Sequence, residues 1–320
     1  VDATIGALPD DGRDGAKAER STGLVAPALA FGGLLAATLW PGEGGRVPVH
    51  LLVFADGVGV AGLLRRRWAV DEAGRRAVAD VTTILFAFLA LWQLATARFG
   101  LLDPMLFPPP ELVARLFVKE LPDLVQCLGS SLVLLVGGFG TALVTALPLG
   151  LWVGWHERLH RAVGPFTKIL GTIPPVVFIP YIVHVMPTFR SASVVVIFIG
   201  AFWPIFINTV AGVHDVPKGL IDSGRVLELS KRRMLLRVVL PAALPSICTG
   251  ASLALCFSFL LLTAAEVIGG KSGLGWYVHY FSDFADYPRV VVGILFIGVV
   301  VVGMTLCTER LERHLLRWRS

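Results

Sequence analysis

The chain is short of charge. Of its 320 residues only 16% are Asp, Glu, Lys or Arg, against 55% hydrophobic, and the mean hydropathy is +0.74. A soluble domain carries about 25% charged residues, so this composition excludes an ordinary soluble globule and points to a polytopic membrane protein. Cysteine is scarce too: Cys127, Cys248, Cys256 and Cys307 are scattered through apolar sequence with no Cys-x-x-Cys pair. That argues against a zinc ribbon or disulfide framework and leaves the thiols as small packing side chains. A secretory leader is not expected, because residues 1–23 mix Asp, Glu, Lys and Arg without a basic n-region. A phosphate-binding loop is incomplete: Gly270-Lys271-Ser272 has the right ending, but Ala265 stands where the first glycine belongs. No nucleotide site is therefore visible, and no cofactor is implied. The formal net charge of +5 does not require nucleic acid as a partner, since a cytoplasmic excess of Lys and Arg explains it in a membrane protein.

What is present is a series of long apolar runs, at 24–40, 48–64, 80–98, 126–155, 165–186, 190–213, 241–268 and 288–307. Crossing a bilayer takes about 20 such residues, so the expected architecture is all-α with about eight transmembrane helices. The run at 48–64 is the weakest, holding His50, Asp56, Gly57 and Gly59. Basic residues cluster at 65–76, 156–161, 231–237 and the C-terminal end (Arg310, Arg313, Arg317, Arg319), all on one side of that threading. That side is the cytoplasm, and both termini share it. A polar tail is expected over 1–23, a hairpin and basic loop over 24–79, and the main membrane domain over 80–320. Within the last, a short amphipathic helix is expected over Glu111–Val118 at the outer surface. Gly137, Gly138, Gly140, Gly150 and Gly154 suit close helix approach in lipid. Pro174, Pro175 and Pro180 are expected to interrupt the run at 165–186, and 269–287 reads as an external loop.

The stretch from Val216 to Thr249 stands apart. Pro217 can open a helix because its missing N–H would be unbonded in a first turn anyway. Leu220, Gly224 and Leu227 recur at helical spacing, and Met234, Leu235 and Val238 form a second apolar stripe beyond the basic run Lys231-Arg232-Arg233. Pro241 and Pro245 are expected to close the segment. A loop that merely links two spans needs no paired amphipathic helices, whereas helices of this kind dock into grooves on soluble partners.

The order Asp222-Ser223-Gly224 followed by Val239-Leu240-Pro241 resembles the EAA coupling motif of bacterial ABC-importer permeases. The continuation Ala242-Ala243-Leu244-Pro245 is similar to the nitrate/sulfonate/taurine-type members. Matching features recur in order across 80–319: Phe107–Glu111, Ser130-Ser131-Leu132, Ile173-Pro174-Pro175, Gly200–Pro204 with Asn208-Thr209, Ala264-Ala265-Glu266 through Gly275, and Leu311-Glu312-Arg313. The chain departs from the pattern at Val185–Phe189 and at Glu228, where the family usually has glycine, and the hairpin at 24–64 is extra to the family core. The resemblance implies a transmembrane subunit that imports a small, usually anionic nutrient: nitrate, a sulfonate such as taurine, bicarbonate or an aromatic acid. It implies two ATP-binding ABC ATPase subunits, a periplasmic or lipid-anchored substrate-binding protein, and a second copy of the chain, all at the inner membrane. The coupling residues would be Asp222, Ser223, Gly224, Leu227, Glu228, Leu240 and Pro241, with Gly224 touching the ATPase. His184, Asn208 and Glu266 are candidates for the translocation path, since an ionisable group at membrane depth is costly to place without a role.

Two rival readings stand beside this one. His156-Glu157-Arg158-Leu159-His160 is a literal His-Glu-x-x-His, which on a helix offers two histidines to zinc and a glutamate as general base, as in a membrane metalloprotease. No third ligand stands out, and Gly164-Pro165 leaves little helix. A self-sufficient secondary transporter is the other, but Asp56, His184 and Glu266 are few ionisable groups for ion coupling. The topology is testable by thiol labelling from outside the cell, with single cysteines replacing Gly42, Lys231 and Ser282. Positions 42 and 282 are expected to react and position 231 to stay protected; external labelling at 231 would overturn the threading.

Overall fold

The computed structural model describes residues 72–317 other than 100, 104 and 172. The tail at 1–23, the apolar runs at 24–64 and Arg65-Arg66-Arg67 lie outside the described residues. The described part is helical, with no strand among the described residues. Four helices are long and apolar enough to cross a membrane: Pro110–Trp155, Phe189–His214, Lys231–Gly269 and Tyr287–Leu315. Two shorter apolar stretches, Asp80–Thr96 and Pro175–Val185, accompany them.

The chain divides into two compact units, 1–119 with 286–292, and 120–285 with 293–320. In the first unit, α1 (Glu72–Gln93) begins inside what reads as a basic loop and continues into a wider π turn, Leu94–Arg98. Phe88, Leu91, Trp92, Leu106 and Phe107 surround an apolar cavity of about 350 Å³ there.

The second unit carries most of the spans. Helix α2 (Pro110–Trp155) is 46 residues long and passes through Pro122 and Pro148 without a break. The separate surface helix expected at Glu111–Val118 is therefore the first part of one continuous helix. Nothing between Val118 and Gln126 forces a stop, and proline alone weakens a helix rather than ending it when its neighbours resatisfy the backbone. Helix α3 (Glu157–Leu170) follows, then a break, a 3-10 turn (Pro175–Phe178) and the short α4 (Ile179–Val185). Pro174-Pro175 marks the break as expected. Pro180 does not interrupt, because it sits in the first turn of α4, where a missing N–H costs nothing.

Helix α5 (Phe189–His214) opens with a capping box in which Thr188 Oγ1 accepts from Ser191 N–H at 3.1 Å. Beyond it come α6 (Lys218–Val226), the single turn α7 (Lys231–Met234), a π turn (Leu235–Val239) and α8 (Leu240–Gly269). Pro241 and Pro245 do not close the coupling stretch, since α7 to α8 runs as one 39-residue helix. The π turn lies directly before Pro241, whose ring lacks an N–H and crowds the carbonyl four residues back; the wider turn absorbs both. Helix α9 (Leu274–Asp283) occupies the expected external loop, and α10 (Tyr287–Leu315) ends the described chain.

Helix α5 is the middle of a three-helix layer. On one side Gly138, Ala142, Ala146, Gly150 and Gly154 of α2 recur every fourth residue. Added Cβ atoms at the glycines would lie 2.5 Å from Ile197 Cβ, 2.7 Å from Thr209 Cβ and 2.8 Å from Val213 Cβ. These partners rise along α5 in step with α2, so the two helices run parallel. On the other side Gly200 meets Leu261, Gly250 meets Asn208 and Gly212 meets Ser246, with partners falling as α5 rises, so α8 is antiparallel to α5. Two consecutive long spans that run parallel require the chain to recross between them. The broken segment 157–185 makes that crossing.

Lipid supplies no hydrophobic drive for helix association, so close backbone approach is what holds such a layer. Gly150→Val is expected to destabilise the purified protein by about 1–3 kcal/mol through overpacking against Thr209. Gly140→Val, with nothing within 4 Å of its added Cβ, is expected to leave the melting temperature unchanged. Equal melting of the two variants would show that the stripe is not a packing seam.

Candidate functional site

The stretch that follows α5 is built on one helix end. Pro217 is the N-cap of α6, with extended ψ (129°) that turns the chain out of α5. Asp222 and Arg225 pair at 2.9 Å on the exposed side, and Ser223 Oγ donates back to Gly219 O at 2.8 Å. The helix ends in a Schellman turn: Leu229 N–H donates to Gly224 O at 3.1 Å and Glu228 N–H to Arg225 O at 2.9 Å. That turn requires a left-handed residue at Glu228, whose φ is +50°. The glycine usual in the family is thus explained by backbone angle, and glutamate holds the same angle at a cost of about 1–2 kcal/mol.

Gly224 is buried rather than presented. A Cβ there would lie 2.6 Å from Met234 Cε, so α6 packs face-on against the first turn of α7 inside the same chain. The apolar side chains that do face outward are Val226, 83% exposed, Leu227, 72%, and Leu220, 47%. Met234 is buried with Val213, Val216 and Val239, and Leu235 and Val238 pack on the same cluster, as their stripe implied. Leu240 and Pro241 are half-buried at the root of α8, while Lys231, Arg232, Arg233 and Arg237 are exposed.

At the opposite end of α8 sits Glu266, fully buried. Ser131 Oγ of α2 donates to its Oε1 at 2.6 Å, and Gly275 N–H donates to its Oε2 at 2.8 Å. Leu274 N–H in turn donates to Ser131 Oγ at 3.0 Å. The loop reaches the carboxylate only because Gly273 takes φ +114°, where any Cβ would strike the Glu266 carboxyl group. Tyr277 Oη adds a contact to Glu120 Oε2 at 3.4 Å. One acidic side chain therefore ties α2, α8 and the start of α9 together.

The other path candidates are separate. Asn208, half-buried, donates from Nδ2 to Pro204 O at 2.8 Å and packs over Gly250. His184 is exposed, with Nδ1 2.8 Å or less from a carbonyl: the contact to Pro180 O measures 2.7 Å. Sequence reasoning assigned no role to Ser131 or Gly273; the recurrence of Gly-x-Gly seven residues beyond a buried-looking glutamate was the available signal.

The His-Glu-x-x-His residues do other things. His156 lies just before α3 and bonds Trp152 O at 2.8 Å. His160 stacks on His214 with ring centroids 4.3 Å apart. Arg161 pairs with Glu157 at 2.9 Å and holds its carboxyl below the usual carboxylate range, which opposes a role as general base near neutral pH. Among the described residues no three His, Cys, Asp or Glu side chains converge as a metal site.

Residues 146–320 match the family described as binding-protein-dependent transport system inner membrane component. The chain belongs to this family. Its relatives include a nitrate import permease protein of Synechocystis sp., 32% identical over 53% of this chain, and a bicarbonate transport system permease protein of Synechococcus elongatus, 33% identical over 59%. The matches span 62% and 68% of those proteins' own lengths. A putative aliphatic sulfonates transport permease protein of Bacillus subtilis is 30% identical over 72% of this chain and 84% of its own. The fold is that of a chain of the MetNI methionine ABC transporter in an inward-facing form: TM-score 0.54 at 20% identity, covering 62% of this chain and 98% of that one. The multi-pass, all-helical architecture and the family expected from the coupling motif are both borne out, and neither rival reading gains support.

The clamp can be tested directly. Ser131→Ala removes the hydroxyl that bridges Leu274 N–H and Glu266, leaving both short of a buried partner. It is expected to lower stability by about 1–3 kcal/mol in thermal unfolding of the purified permease. Ser130→Ala, whose hydroxyl only bonds back to Gln126 O at 3.4 Å, is expected to be near neutral; equal effects would deny the clamp.

Proposed function

We propose that the chain is the membrane subunit of an ATP-driven importer of a small anion of the nitrate, bicarbonate or sulfonate class. It works with separate ATPase subunits, a substrate-binding protein outside the membrane and a second copy of itself. Family membership supports the class of protein, and the printed substrates of its relatives support the class of cargo. The observation that carries the mechanism is the outward face of α6. Val226 and Leu227 are 83% and 72% exposed on a helix rooted between two spans and closed by a strained turn. Large apolar side chains in that position suit a groove on a soluble partner.

In this reading the ATPase grips Leu220, Val226 and Leu227, while Asp222, Ser223 and Glu228 line the rim of the contact. Gly224 acts from inside: it lets α6 lie flat on Met234, so that a push on α6 passes to α7 and, through Leu240 and Pro241, to α8. Because α8 packs along α5, the movement reaches the layer that flanks the path. Glu266 then anchors the outer end of α8 instead of lining the path, and Asn208 spaces α5 from α8. His184 remains the path candidate, since its ring is exposed on the short helix that follows the break in the crossing segment.

Leu227→Asp is expected to weaken ATPase association by about 2 kcal/mol, roughly thirtyfold, as loss of an interface anchor does. Membrane insertion should be unchanged and transport in proteoliposomes lost. His184→Leu should instead cut transport with ATPase association intact. Full transport by Leu227→Asp would remove α6 as the docking surface, and full transport by His184→Leu would remove that residue from the path.

A further inference from the structure

A groove of about 520 Å³ runs between α8 and α10. Leu255, Phe259 and Val301 are among its apolar lining residues, and Ser252, Glu309 and Glu312 among its polar ones. Consecutive spans joined on the outer side run antiparallel, which sets Ser252 at the end of Glu309 and Glu312, and Thr263 at the end of Ile297. The acidic end lies beside Arg310 and Arg313, at the cytoplasmic surface by the positive-inside rule.

The dimensions fit one leaflet. Ser252 to Thr263 is eleven helical steps, about 16 Å at 1.5 Å per residue. Half of a ~30 Å hydrocarbon core is about 15 Å. With its acidic end beside Arg310 and Arg313 at the headgroups, a groove of this length covers one leaflet. Helix α10 is also the least covered of the long spans: 17% of its apolar window is buried, against 28% to 39% in the other three.

The inner end carries an unmatched charge. Glu309 is paired with Arg313 at 3.2 Å. Glu312 is half-buried on the groove and has no ion-pair or hydrogen-bond partner for its carboxylate among the described residues. A carboxylate at the membrane interface facing an apolar groove needs a cation that arrives with an apolar tail. A primary ammonium meets this with a charge-assisted hydrogen bond; a quaternary ammonium has the charge but no proton to donate. Arg313 on the same rim offers the opposite charge to a phosphate.

We propose that this groove binds an inner-leaflet phospholipid with a primary ammonium headgroup, one acyl chain along Leu255, Phe259 and Val301 and the ammonium on Glu312. The test uses the full chain, purified and incubated with an equimolar mixture of phosphatidylethanolamine and phosphatidylcholine of identical acyl chains, and reads retained lipid by native mass spectrometry. Retention is expected to favour phosphatidylethanolamine by about fivefold, the scale of one charge-assisted hydrogen bond. The ratio should fall stepwise as the amine is N-methylated, a series that needs no substitution in the protein. Glu312→Gln should bring it to parity, and Val301→Trp should lower retention of both lipids. Parity in the parent chain, or an undiminished preference in Glu312→Gln, would overturn the proposal. So would efficient cross-linking between two copies through Val301→Cys, which would place protein in the groove instead of lipid.

Discussion

Helices in lipid are held together by how closely their backbones can approach, and here that approach is set along one side of α2. Glycine and alanine recur every fourth residue from Gly138 to Gly154, and α5 lies against that seam in parallel. Water cannot drive the association, since lipid tails are as apolar as the side chains themselves, so dispersion contact and backbone proximity must. The seam has a topological effect as well. Parallel neighbours joined in sequence need a return crossing, and the only chain between them is a stretch broken after α3 and rebuilt as a 3-10 turn and two turns of helix. Non-helical backbone at that depth is tolerated where protein covers it, and Ile179 and Ile182 are buried with Ala192, Val196 and Leu261.

Two tie points complete the layer at its ends. On the outer side Glu266 is held by donors from α2 and from the turn before α9. On the inner side Met234 sits under Gly224. Neither is large, but each removes a freedom the seam leaves open: the first fixes where α8 ends, and the second fixes the angle at which α6 leaves the membrane surface. Between them α8 is tied to its neighbours at both ends.

The membrane class, the long spans and the family were legible in the sequence, because these are matters of run length, charge sign and motif order. Pro217 opened its helix and Gly150 and Gly154 made close contacts as their residue types imply. Extents were less legible. Pro241 reads as a stop, yet a π turn lets the helix pass through it; Glu111–Val118 reads as a separate short helix but is the start of a continuous one. Direction was less legible still. Gly224 shares a helical face with Leu220 and Leu227 on paper, but the face that matters is set by Met234, ten residues on, which local periodicity cannot see. Ser131 was hidden for a similar reason, since its partner Glu266 is far away in sequence and the link runs through a glycine turn.

The left-handed residue at Glu228 bears on how such proteins are recognised. A pattern that demands glycine there describes the commonest way to satisfy a torsion, not the torsion itself. The hydrogen bonds from Leu229 and Glu228 back to α6 keep the turn whichever side chain is attached. A pattern written for glycine misses that position, although the left-handed turn is formed. Divergent members are therefore better sought by the geometry their neighbours enforce than by the letter that usually accompanies it.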